Sequence, residues 1–256
     1  MDYSFVIALA SVFLISLVFS MFGQGGGSLY TPVLFLLGYA TLVSVSTSLV
    51  LNLVTALFAT FVYYRSKLVN LRLALSFIPS IIVGSFLGGA WSNFVDTDII
   101  LWLFVLLLIV GGGRMVYTQW ERNSPVERKL EWSNAFLYVV IVLFSFGVGI
   151  LSGLLGVGGG ILIVPFLIFA YKVPAKIAAG TTGFIVIFSS LFGVVGHSAF
   201  GHLDFFLILG AAATVSLGAF LGAKFMSKTK IEWIKPGFGV IMLAFAFQLI
   251  VKLIHF

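Results

Sequence analysis

A glycine motif occurs twice in this chain, each time inside apolar sequence. It reads Gly-Gln-Gly-Gly-Gly-Ser-Leu-Tyr-Thr-Pro from Gly23 to Pro32 and Gly-Val-Gly-Gly-Gly-Ile-Leu-Ile-Val-Pro from Gly156 to Pro165. The second copy lies 133 residues after the first, with glycines and proline in register. The chain is therefore a duplicated unit. Three consecutive glycines interrupt a helix, so each unit breaks its own helix at the motif.

The surroundings decide what such a break means. Hydrophobic residues make up 61% of the 256 positions and charged residues 9%, and mean hydropathy is +1.21; soluble domains hold roughly 45–50% apolar residues. The chain is predicted to be an integral protein of the lipid bilayer. Apolar runs at 3–22, 42–64, 71–94, 99–118, 134–155, 176–197, 204–225 and 233–255 are each near the ~20 residues a helix needs to cross ~30 Å of hydrocarbon. Strand alternation is absent, which sets a membrane β-barrel aside. The first run lacks the basic start and cleavage site of a signal peptide, and its counterpart at 134–155 supports a retained helix. Without cysteine there is no disulfide, thiol nucleophile or thiolate metal site. The net charge of +6 sits beside helix ends, as the positive-inside rule expects, and gives no sign of nucleic acid.

The repeat continues at a shift of 134, pairing Thr47-Ser48 with Thr181-Thr182, Asn70 with Asp204, and Gly84-x-x-x-Gly88 with Gly218-x-x-x-Gly222. The expected organisation is repeat 1 over 1–118, a polar linker over 119–133 and repeat 2 over 134–256, forming one membrane domain. Two further apolar segments, 29–39 and 161–171, are too short to cross as helices, since about eleven residues reach only ~16 Å. Five extended residues before each add ~16 Å, enough for a crossing. If the segments do not cross, the 14 Lys and Arg residues divide eight against six between the two faces. If they cross, all but Lys252 gather on one face, and Asp2, Asp96, Asp98 and Asp204 lie opposite. Charge asymmetry of that kind favours crossing. The predicted fold is an all-α polytopic membrane protein of two inverted repeats, about 5+5 crossings, with eight full-length helices and two short broken helices after the glycine loops. Basic loops and linker are expected in the cytoplasm, with both termini outside.

Irregular backbone at membrane depth survives only against protein or a water-filled cavity, so the loops are expected to line one. Thr31-Pro32 and Val164-Pro165 resemble a cap residue followed by proline at the first helical position, which would start each short helix near mid-depth. A helix start carries free N–H groups and partial positive charge, and glycines allow an anion close approach. The candidate donors are Gln24, Gly25, Gly26, Gly27 and Ser28 in the first loop and Gly158, Gly159, Gly160 and Ile161 in the second. Thr31, Ser48, Thr181 and Thr182 add hydroxyls, although such hydroxyls also bond back to carbonyls of their own helix. Gln24 and Asn52 can supply amide N–H groups, with interhelical hydrogen bonding as the other reading. Gly84, Gly88, Gly149, Gly153, Gly218 and Gly222 are expected to serve close helix packing. His197 and His202 are expected to be solvated loop histidines. No Lys or Arg lies mid-span, and all eight carboxylates sit at span ends or in loops. The sequence therefore implies no catalytic residue, metal site or cofactor, and leaves the coupling ion and oligomeric state open, a homo-oligomer included.

A unit of four to five helices, duplicated and opening with Gly-x-Gly-Gly-Gly before a proline, resembles the TauE/SafE sulfite exporter family. The likeness is clearest at Gly156–Pro165 and Ala179-Gly180-Thr181-Thr182, with Gly23–Gly27, Pro32 and Ser46-Thr47-Ser48 in the first half. It implies transport across the cytoplasmic membrane, usually outward, of small sulfur-containing anions such as sulfite, sulfoacetate or other organosulfonates. The expectation is a secondary transporter in which one repeat rocks against the other around an anion between the loops. A passive anion channel stays open as an alternative, as does a membrane-embedded enzyme limited to hydroxyls and amides.

Overall fold

A computed structural model describes residues 3–117, 135–171, 173–198, 205–228 and 235–254. The linker, His202 and Asp204 lie outside the described residues. The first half folds as α1 (Tyr3–Met21), α2 (Gly27–Leu36), α3 (Thr41–Arg65), α4 (Leu71–Trp91) and α5 (Thr97–Tyr117). The second follows the same order as α6 (Ala135–Leu155), α7 (Gly160–Phe169), α8 (Ala175–Ser198), α9 (Phe205–Lys228) and α10 (Lys235–Ile254). Eight helices thus hold 19 to 25 residues, while α2 and α7 hold 10 each. Over the described residues, five helices have both the length and the hydropathy of a membrane crossing.

The distribution of polarity is that of a protein in lipid. Ser44, Ser46, Thr47, Ser48, Asn52 and Thr55 of α3 are wholly buried, whereas Leu75, Leu143, Leu209 and Phe247 on outer faces are 62–74% exposed. Hydrocarbon offers polar groups no partner, so they turn inward to one another and to backbone carbonyls.

Helix directions follow from side-chain contacts. The Tyr63 hydroxyl, near the end of α3, reaches the carbonyls of Ser20 at 2.9 Å and Met21 at 2.7 Å in the last turn of α1, so α1 and α3 end together. Leu34, near the end of α2, packs with Ala8 near the start of α1. The chain therefore runs the length of α1 and returns through loop and α2. Between α3 and α8 the order reverses: Asn52 meets Ser190, Thr60 faces Gly183, and Tyr63 and Leu68 face Gly180. These equivalent helices are antiparallel.

The small residues of the sequence explain the closest pairings. Gly84 of α4 sits on Phe146 and Gly149 of α6, and Gly88 sits on Ile150. In the other half Gly218 of α9 sits on Phe13 and Ser16 of α1, and Gly222 sits on Leu17 and Ser20. A β-carbon at any of these glycines would meet backbone, so their packing role is as expected. Both pairings are parallel and both cross between halves. The molecule thus comprises two interlocked four-helix units, α1, α2, α3 and α9 against α4, α6, α7 and α8, with α5 packed on α10. Lys252 donates to the Phe35 carbonyl at 3.1 Å and stands 4.0 Å from that ring's centroid. It is a cap on the last turn of α2.

Candidate functional site

The two glycine loops meet about midway along α3. Gly27 lies against the Gly156 carbonyl and Val157, while Gly160 lies reciprocally against the backbone of Gln24. Neither position has room for a β-carbon. Gly23, Gly25, Gly156, Gly158 and Gly159 have φ from 63° to 77°, a region that L side chains rarely adopt. The loops thus need glycine for conformation and the helix starts need it for contact.

The short helices begin five residues earlier than the prolines suggest. Their first residues are Gly27 and Gly160, after Gly26 and Gly159 as caps without side-chain hydrogen bonds. Pro32 and Pro165 fall at the sixth helical position, where a missing N–H removes one intrahelical bond. Thr31 is therefore not a cap. Its hydroxyl donates to the Leu155 carbonyl at 3.2 Å and ties α2 to the end of α6.

Asn52 stands between the loops. Its Oδ1 accepts from the N–H groups of Gly26 at 2.7 Å and Gly27 at 3.1 Å, while its Nδ2 donates to the Val157 carbonyl at 3.3 Å and the Ser190 hydroxyl at 2.9 Å. Both ends of the amide are engaged, and Gly25 and Gly158 leave the space it fills. Ser48 donates to carbonyls of both loops, Gly27 at 3.3 Å and Gly156 at 2.9 Å. Ser189 donates to the Gly158 carbonyl at 2.6 Å. Tyr30 and Thr55 share a hydrogen bond of 2.8 Å beneath Gly26.

Other candidates are placed differently. Thr181 accepts from the Asn70 N–H at 3.0 Å, at the start of α4, and does not join the loop cluster. Gln24 is 2% exposed with neither amide atom hydrogen-bonded, and the buried Thr182 hydroxyl also lacks a partner. Unpaired buried polar atoms are costly, and the hydroxyls of Thr47, Thr60, Ser85, Ser152 and Tyr171 share this condition. Ser28 and Ile161 occupy equivalent second positions in α2 and α7.

His197 is not a solvated loop residue. It is fully buried in α8, with Nε2 donating to the Gly153 carbonyl at 2.9 Å and Nδ1 3.2 Å from the Ser92 hydroxyl. Its repeat partner is Tyr63, 134 residues earlier, which reaches the equivalent end of α1. Each half thus ties down the carbonyl end of its first helix with a buried ring, and the repeat register is the signal that could have found both. The same register relates Ser189 to Thr55.

Polar interior, apolar exterior and long apolar helices are those of a polytopic membrane protein. Comparison with known proteins makes it a membrane transporter. The family model described as sulfite exporter TauE/SafE matches residues 8–249. The chain is 26% identical to the probable membrane transporter protein YunE of Bacillus subtilis, over 96% of this chain and 97% of that one. It is 30% identical to a probable membrane transporter protein of Methanocaldococcus jannaschii, over 72% and 69% of the two chains. A probable membrane transporter protein of Xylella fastidiosa is 27% identical over 96% and 95%. No solved structure matches. The chain belongs to the sulfite exporter TauE/SafE family, whose members are membrane transporters and not enzymes.

Proposed function

We propose that this protein is a secondary transporter of small sulfur-containing anions, such as sulfite, sulfoacetate or other organosulfonates. The substrate sits where the two glycine loops meet. The observation that carries this reading is the mutual packing of two helix starts, α2 and α7, through Gly27 and Gly160. Two positively polarised ends at close range repel each other, and an anion between them relieves that repulsion. Donors come from Gly25–Ser28 and Gly158–Ile161, with Gln24, Ser48, Asn52 and Thr182 around them. Thr31 ties α2 to the end of α6, and Thr181 stays outside the loop cluster.

Five passages per half give an inverted pair of repeats, 1–118 and 134–256, with basic loops and linker on the cytoplasmic face of the cytoplasmic membrane. Alternating access then moves the interlocked units. Rocking of whole sequence halves would separate the glycine-lined pairs α1–α9 and α4–α6, so the moving bodies each carry one helix from the other half. Gly26→Leu and Gly159→Leu are expected to insert in the membrane yet abolish uptake of labelled sulfite or sulfoacetate into proteoliposomes. Wild-type transport rates in both would overturn the loop site. Exchange without single-channel current distinguishes a carrier from a channel.

A further inference from the structure

The two halves differ at the loops in a way that the duplication does not require. At the repeat positions of Gln24 and Asn52 the second half carries Val157 and Val186. The first-loop N–H groups of Gly26 and Gly27 are therefore already occupied by an oxygen, that of Asn52. Among the described residues no side chain accepts from Gly159, Gly160 or Ile161 in the second loop. The backbone follows suit: Gly159 has φ of 77°, whereas the equivalent Gly26 has φ of −112°. Beside this occupied pair lies Gln24, 2% exposed and with both amide atoms unpartnered.

We propose that Asn52 is a tethered stand-in for the transported anion. Its amide oxygen occupies the first-loop N–H groups while the carrier is empty, and the substrate's oxygen takes them by displacing it. This rests on the anion-binding reading above. The competition is between unequal acceptors: a neutral amide oxygen forms ordinary hydrogen bonds, whereas a sulfonate or sulfite oxygen forms charge-assisted ones, roughly twice as strong. The anion therefore wins when present, and the N–H groups are never left bare when it is absent. Displacement has a second effect. The Asn52 amide that leaves Gly26 and Gly27 also carries the bonds to the Val157 carbonyl and Ser190, so occupancy by substrate releases the one side chain that bonds both loops through its two ends. Ser48 then remains as the side chain that bonds both loops, and their connection is weaker in the loaded carrier than in the empty one.

A stand-in and a substrate donor make opposite predictions. Full-length protein in lipid nanodiscs is titrated with sulfoacetate and with sulfite, and binding is read by calorimetry. Asn52→Ala removes the competitor and is expected to lower Kd about tenfold, the equivalent of one or two hydrogen bonds. Ser190→Ala loosens the competitor without touching Gly26 or Gly27 and is expected to lower Kd about threefold. Asn52→Asp places a fixed carboxylate on the same N–H groups and is expected to raise Kd more than tenfold. Ser190→Ala decides the matter on its own if the Asn52 variants do not fold. Weaker or unchanged binding in the alanine variants, with binding by the wild type intact, overturns the stand-in role alone. Absence of binding by every form overturns the anion site itself and the stand-in with it.

Discussion

The N–H groups that open α2 are clasped by an amide, and those that open α7 meet no side-chain acceptor among the described residues. In the first, Asn52 holds Gly26 and Gly27. In the second, Val148 stands against Gly159 and Val186 beside Gly158, while Ser48, Asn52 and Ser189 bond only the carbonyls of Gly156, Val157 and Gly158. The pattern of the helix starts is shared between them, although the cap torsion is not: both short helices begin at the third consecutive glycine, both carry proline at the sixth position, and Gly26 and Gly159 each accept from the third and fourth residues that follow. Duplication thus supplied the hydrogen-bond pattern, and divergence supplied the polarity and the cap torsion. Two equal loops would present an anion with equal grips on either side, whereas these present one occupied and one open helix start.

The largest effects are expected where both loops touch the same amide. Gly25→Ala and Gly158→Ala each force a side chain into left-handed backbone, about 1–3 kcal/mol, and into Asn52, about 1–3 kcal/mol more. The melting temperature of the detergent-solubilised protein should fall for both. Adding Asn52→Ala should return only the steric part, and a Gly158→Ala protein as stable as wild type would show that Asn52 is not wedged between the loops. Next come the rings at the ends of α1 and α6. Tyr63→Phe and His197→Phe each remove the ring's hydrogen bonds to buried carbonyls, at about 0.5–1.5 kcal/mol per bond. Similar losses would confirm that the two rings do one structural task; a harmless Tyr63→Phe beside a damaging His197→Phe would give the histidine another. Lys252→Met removes a charge from the end of α2 and should cost about 0.5–1 kcal/mol. The smallest effect has the opposite sign. Gly147→Ala adds a methyl to open space in α6 and should gain about 0.5–1 kcal/mol, whereas Gly149→Ala, two residues on, meets the backbone of Ile81 and Ser85 and should destabilise.

Hydrophobic runs and repeat register made the ten segments legible, and three adjacent glycines located the loops. The starts of α2 and α7 were misplaced because a glycine cap has no side chain to announce it, while proline is compatible with both the first and second turns of a helix. His197 looked like a loop residue because its neighbours in sequence mark a helix end. Only the equivalence with Tyr63 identifies a buried ring there. Asn52 was visible as an amide in apolar sequence, but not which of its ends would face which loop. Helix pairing between halves was hidden for a general reason. A small-x-x-x-small face shows that a helix wants a close neighbour, without saying which one.

The pairing of α1 with α9 bears on how the molecule is made. The face of α1 that carries Ser16 and Ser20 is covered by Gly218 and Gly222, which leave the ribosome about 200 residues later. Through most of synthesis that face has only lipid or the insertion machinery against it. A chain stopped after the linker would hold α1 without its partner, and α4 without α6. Neither sequence half is therefore expected to accumulate as a stable protein when expressed alone, and co-expression of the two should restore what each lacks.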